Sequence, residues 1–491
     1  LDLASGSTVD ASSTSGGRIN LRGGGALTLQ DVDTADGAVD VSAAGQITAS
    51  DVESLTDAEP NDIRLTSTGG GIEAGLVDAG SVGDVTLDAQ GGAIGQDGTD
   101  DADDVTAEVL TADSAGGMDL DTTVASVNAS ANAAGNIVLD EVDAIGLTDV
   151  QTADGGIDVT AGGQITASDV VAGGSGSDVT LTTASGDVSV GSVQATGDRV
   201  TVNAAAEING SGLTADEAVL SAGSDIGSAG TPFGTEVSTL DAVTGAGDMY
   251  ITNTGALVLD DLNTDAKSLD GAGGGEIVAS SPLTVSSAVS QGDDFSVVAG
   301  DSSSGTTSDD LTIDADVTHT GGGTITLQAG DDIIHDSGTI TSAGGTVEFV
   351  ADNEGGGVGD GFRGGVAQNG GALATGTVDF TAEEAVSYTA GSNDADILNG
   401  TVGSGSLSYA DTDDIAMGSV SAGGAVDITS GGSITDSADD AVVDVDAGDL
   451  ITLTADGDID GPDADGSGPD DTYLDLASGS TVDASSTSGG R

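Results

Sequence analysis

The sequence has no cysteine and no tryptophan, and only seven basic residues stand against 84 acidic ones. Without cysteine there is no disulfide framework and no thiol nucleophile. The formal net charge of -77 repels nucleic acid and anionic membranes, so neither is expected as a partner. No run of about 18 apolar residues is present, so this segment is not expected to insert into a membrane. Leu1 opens the sequence with neither a methionine nor a signal peptide, and any targeting segment is expected outside it. Low hydrophobicity with high charge ordinarily produces disorder. Here 37% of residues are hydrophobic and alternate with polar ones, with Val and Ile outnumbering aromatics. That alternation favours ordered β structure around a thin aliphatic core.

What is there is glycine, 82 residues of it, and aspartate, with a phrase that repeats. Residues 155–170 (GGIDVTAGGQITASDV) read as two short strands hinged at Gly162 and Gly163. Ile157, Val159 and Ile165 point one way and Asp158, Thr160 and Thr166 the other. Residues 31–52 match residues 149–170 at 17 of 22 positions. Looser versions begin their cores at Val39, Ile63 and Val85, then at Ile137, Ile157, Val179 and Val200. Steps of 20–24 residues fall in the range of solenoid repeats. The predicted fold is therefore all-β, a right-handed parallel β-helix (β-solenoid) of about 20 rungs with some longer, loop-bearing rungs. An array of β-sandwiches is the rival, but it would not reuse one phrase at rung spacing.

Residues 1–18 (LDLASGSTVDASSTSGGR) recur without change as residues 474–491, a shift of 473. Residues 1–473 are accordingly read as one tandem unit, and residues 474–491 as the start of the next copy. A segment designed with matching ends is the other explanation. Within the unit, residues 1–221 and 321–459 carry regular rungs, and residues 222–320 carry irregular rungs with loops. Residues 460–473 (DGPDADGSGPDDTY) form an acidic Gly/Pro loop.

Phrases such as GDVTLDAQGGAI, GGQITASDV and SGGSITDSADD resemble the rungs of filamentous haemagglutinin-like large exoproteins, giant repeat surface adhesins of parallel β-helix type. The resemblance covers most of the unit. It implies a very long secreted or cell-surface fibre mediating attachment to cells or surfaces. Its partners would be neighbouring copies of the repeat and other cells, surfaces or glycans. The secretion domain of that family is not visible, and the Asp excess departs from its typical members and suggests a halophilic or marine source.

Catalysis requires convergent groups with perturbed pKa values. The two histidines are His319 and His335, and His335, between Asp332 and Asp336, is expected to be an exposed rung residue. The arginines, Arg18, Arg22, Arg64, Arg199, Arg363 and Arg491, are scattered, and no enzyme is expected. Calcium is the stronger chemical candidate, because alternate hard oxygen ligands suit Ca²⁺. Asp456, Asp458 and Asp460 form a D-x-D-x-D-G opening, with Asp463 and Asp465 following. Asp97, Asp100, Asp101, Asp103, Asp104 and Glu108 form a second dense cluster. Solvated surface acid is the plain alternative for both. Asn128, Asn209 and Asn399 match the glycosylation sequon. The expected function is a structural and adhesive extracellular repeat. The alternatives are a non-adhesive sheath or matrix filament that binds cations, and a polysaccharide-active β-helix enzyme.

Overall fold

The computed structural model describes residues 1–58, 61–96, 103–301, 309–352, 364–437, 443–459, 474–477 and 480–487. Among the described residues there are 48 β-strands and no helix. They divide into two compact units, residues 1–227 with 231–237, and residues 228–230 with 238–491. Each is a parallel β-solenoid, and the chain makes about 20 turns in all.

In the first unit, alternation decides which side chains go in. Ile157–Ala161 buries Ile157, Val159 and Ala161 and leaves Asp158 and Thr160 exposed. Parallel pairing then sets like over like: Ile137, Ile157, Val179 and Val200 occupy one ladder. Leu139, Val159, Leu181 and Val202 occupy the next inward ladder of the same strands. None of these eight side chains is more than 1% exposed. Burying each is worth about 1.5–3 kcal/mol before the entropy of ordering the chain is subtracted. Some positions admit only glycine. Gly210 has φ +105, and a Cβ there would run into the carbonyl oxygen of Val190.

The pairing Val39–Ile63–Val85 matches the spacing read from the sequence, as does Ile137–Ile157–Val179–Val200. The two series do not share a ladder. Val85 continues to Leu110, and Leu110 to Val127 across a rung shorter than the repeated phrase. Ile137 instead continues Ile47, Ile72, Ile94 and Met118. Thus Val39 and Ile157, equivalent in the repeated phrase, lie on different sides of the coil. The short rung between Leu110 and Val127 moves the phrase on by one face.

The second unit includes some longer turns. Phe295 pairs with Ile325, and Val347 with Val378, both wider steps than those joining Val39, Ile63 and Val85. One inward ladder runs Ile251, Ile277, Val297, Leu327, Phe349 and Phe380. The core here is not purely aliphatic. Phe349 and Phe380 stack at 5.1 Å between centroids, and Tyr388 and Tyr409 stack at 6.4 Å.

Candidate functional site

The exterior is built from the residues that alternate with the core, and parallel register stacks them. In the first unit Asp33, Glu53 and Asp78 are successive partners in one outward ladder. Neighbouring rungs lie ~4.8 Å apart. Burial raises the Glu53 carboxyl above its ordinary 4.5, and Asp51, Asp78, Asp33 and Asp31 push it further. Asp51 is raised by burial and then by Asp31 and Asp33. In the second unit Glu348 pairs with Asp379, whose carboxyl is raised by burial and by Glu348.

A recess of about 340 Å³ in the first unit is lined by Asp103, Asp121, Asp140, Glu141, Val142 and Thr160. Asp121, Asp140 and Thr160 belong to one outward ladder. Asp103 accepts the Thr123 hydroxyl at 2.6 Å. Glu141 is only 5% exposed, and its Oε2 accepts the Thr122 hydroxyl at 2.9 Å and the Val124 N–H at 3.0 Å. Burial outweighs those bonds and raises Glu141 to about 7.

This recess gathers one residue of the second acidic cluster predicted from sequence, Asp103. Asp104 is buried and holds the Asp121 N–H at 2.9 Å, and Glu108 points to solvent. Asp97, Asp100 and Asp101 lie outside the described residues, as do Asp460, Asp463 and Asp465. Asp456 and Asp458 are exposed just past strand Leu450–Ala455, and Asp456 accepts the Thr487 hydroxyl. Among the described residues no group of three or more His, Asp or Glu side chains is arranged to hold a metal ion.

One acidic loop escaped the sequence reading. Asp261, Asn263 and Asp265 follow a D-x-N-x-D pattern beside the buried Asp241. Their oxygens are engaged by backbone. Asp241 accepts the N–H groups of Leu262 and Asn263 at 2.9 and 2.8 Å. Asp261 accepts those of Thr264 and Ala266 at 2.6 and 2.9 Å. The acids here shape a turn in which Thr264 and Ala266 both take φ +72. Burial raises Asp241 to about 6 despite its bonds.

His335 contradicts its expected exposure. His335 is fully buried, and its Nδ1 lies 2.6 Å from the Tyr388 hydroxyl. Its Nε2 faces the Gly338 carbonyl at 3.3 Å, which requires the proton on Nε2 and makes Nδ1 the acceptor. Burial lowers its pKa. The physical reason was present in the sequence, since Ile333 and His335 are two apart and share the inward face. His319 is also buried; its Nδ1 accepts the Gly321 N–H at 3.0 Å. Tyr409 donates to Asp411 Oδ2 at 3.0 Å, and burial raises Asp411 to about 6. These groups serve the interior of the second unit. Arg199 is matched to Glu217 at 2.6 Å, and Asn128, Asn209 and Asn399 are half-buried within strands. Compared with family models, curated proteins and solved structures, the chain matches none of them.

Proposed function

We propose that the chain is a structural and adhesive repeat unit of a very long secreted or cell-surface β-helical fibre, of the filamentous haemagglutinin-like kind, that attaches its owner to cells or surfaces. One observation supports it above the rest: parallel rungs built from a recurring phrase, in a sequence that restarts after 473 residues. Each rung of a parallel ladder is a template for the next, so added copies extend the fibre by the same contacts. An exterior of Asp, Thr and Ser stays solvated, and its charge keeps neighbouring fibres from fusing. Immunogold electron microscopy of the producing cells, with antibody raised against residues 1–473, tests the reading. Label along surface filaments, with attachment lost when the gene is deleted, is the expected result. Label confined to the cell interior would end it.

A second reading is favoured by the stacked carboxylates Asp33, Glu53 and Asp78 and by the acidic recess. In it the chain is a non-adhesive sheath or matrix filament that binds cations, Ca²⁺ among them. A melting temperature that rises in low-millimolar CaCl₂ at constant ionic strength, and less so in Asp456→Asn/Asp458→Asn, supports it. A temperature indifferent to Ca²⁺ removes it.

A further inference from the structure

We infer that the first strands of the chain carry a docking edge for a second copy of its own sequence, and that the tail of the chain displays the mating geometry. The inference rests on the reading of the chain as one copy of a tandem array. Residues 474–487 repeat residues 1–14 without change, so one sequence stands in two settings.

At the start of the first unit the segment uses one edge. The carbonyls of Leu1 and Leu3 accept the N–H groups of Arg22 and Gly24 at 2.8 and 3.0 Å. Gly6 donates to the Ala26 carbonyl at 2.8 Å, and Ser13 accepts from Ala35 at 2.7 Å. In the tail the same segment uses the other edge. Asp475 accepts the Asp444 N–H at 2.7 Å, while Ala477 and Thr487 donate to Val445 and Ala455, each at 3.0 Å. Those three residues are the counterparts of Asp2, Ala4 and Thr14. Each is next in sequence to a residue bonded in the first setting, and along a strand successive residues turn their backbone groups to opposite edges. The two settings are therefore compatible in one strand.

One local bond recurs in both settings. Ser7 Oγ donates to the Ala4 carbonyl at 2.8 Å, and Ser480 Oγ to the Ala477 carbonyl at 2.7 Å. The side chains agree as well. Val482 pairs with Ile451 and Ala484 with Leu453. Their counterparts Val9 and Ala11 pair with Leu29 and Val32. Superimposing the settings places Val9 between Ile451 of the preceding copy and Leu29 of its own. Val482 is 41% exposed in the tail and Val9 only 7% exposed, as expected if the next rung is what covers this position. The occupant of the edge is thus the segment around Val445 and residues 450–455 of another copy, and the aliphatic ladders run on across the junction.

The chain has no cysteine, so an introduced pair reports without interference. The test uses two copies in tandem, residues 1–473 followed by residues 1–491. One variant carries Thr452→Cys in the first copy and Asp10→Cys in the second, the counterpart of the observed pair Thr452 and Asp483. A second variant replaces Asp10→Cys with Ser12→Cys, two positions out of register and beyond the ~7 Å reach of a disulfide. The single chain with Thr452→Cys and Asp483→Cys sets the reference yield. Oxidation of the in-register tandem pair to that yield, at least tenfold above the offset pair, is the expected result. A yield no higher than that of the offset pair would overturn the docking edge. A fibre of separately folded copies joined by linkers would survive that outcome, whereas unique sequence after Arg491 in the native gene would remove the tandem reading itself.

Discussion

Glu141 shows what the coil does to an acid that packing leaves only 5% exposed. Its carboxyl is raised to about 7 by burial, against an ordinary 4.5. The folded value lies above the unfolded one, so the stability it contributes is fully present below about pH 4.5 and is lost as pH rises through about 7. A shift of that size is on the order of 3 kcal/mol between the two protonation states. Glu141→Gln is expected to melt near the parent temperature at acid pH and above it at alkaline pH, by thermal denaturation across the range. An unchanged pH profile would remove Glu141 from the account. His335 works in the opposite sense. Its lowered pKa makes it neutral in the fold, and stability is lost as pH falls below the unfolded value of about 6.5. Neither Glu141 nor His335 was singled out correctly from sequence. Glu141 was passed over among 84 acids. The acidic neighbours of His335, Asp332 and Asp336, are exposed, and only its spacing from Ile333 marks it as inward.

The strand is where sequence speaks most directly. Ile157 and Asp158 are neighbours with opposite fates, one 1% exposed between Ile137 and Val179 and the other facing solvent. Ile157→Ala is expected to destabilise by about 2–5 kcal/mol, the cost of a core cavity. Asp158→Ala is expected to leave stability level or raise it, because burial and Asp140 already raise the Asp158 carboxyl. Chemical denaturation of the two variants checks both, and equal losses would mean that the faces are misassigned. Alternation and glycine pairs made the ladders Val39–Ile63–Val85 and Ile137–Ile157–Val179–Val200 legible beforehand. The face on which each phrase lies was not legible. That depends on the short rung from Leu110 to Val127, where strand Met118–Ala134 runs on past Gly116 and Gly117 with no further glycine to mark a corner. The ring cluster was hidden for a related reason. Phe349 and Phe380, and Tyr388 and Tyr409, come from successive turns and meet only through a register that no local pattern fixes.

Over the whole molecule, an interior of aliphatic ladders carries an exterior of like charge. Two unit charges ~4.8 Å apart repel by about 1 kcal/mol even in water. A few tens of such neighbours would rival the ~5–15 kcal/mol net stability of an ordinary domain. Among the described residues the Lys and Arg ion pairs are Arg199 with Glu217 and Lys267 with Asp270. Among the described residues, eight carboxylates are raised: Asp51, Glu53, Glu141, Asp158, Asp241, Asp332, Asp379 and Asp411. At these groups the fold binds protons more tightly than the unfolded chain, and they make it less stable as pH rises from about 4 to about 7. Screening acts on the same repulsion, since molar salt shortens its range to ~3 Å. The most direct test is a thermal melt of the full chain from dilute buffer to molar NaCl, at a mildly acid and a mildly alkaline pH. The melting temperature is expected to climb steeply with salt at the alkaline pH, and to be higher and flatter at the acid one. A melting temperature indifferent to salt at both would contradict the account, because the aliphatic ladders would then be tolerating the charge unaided.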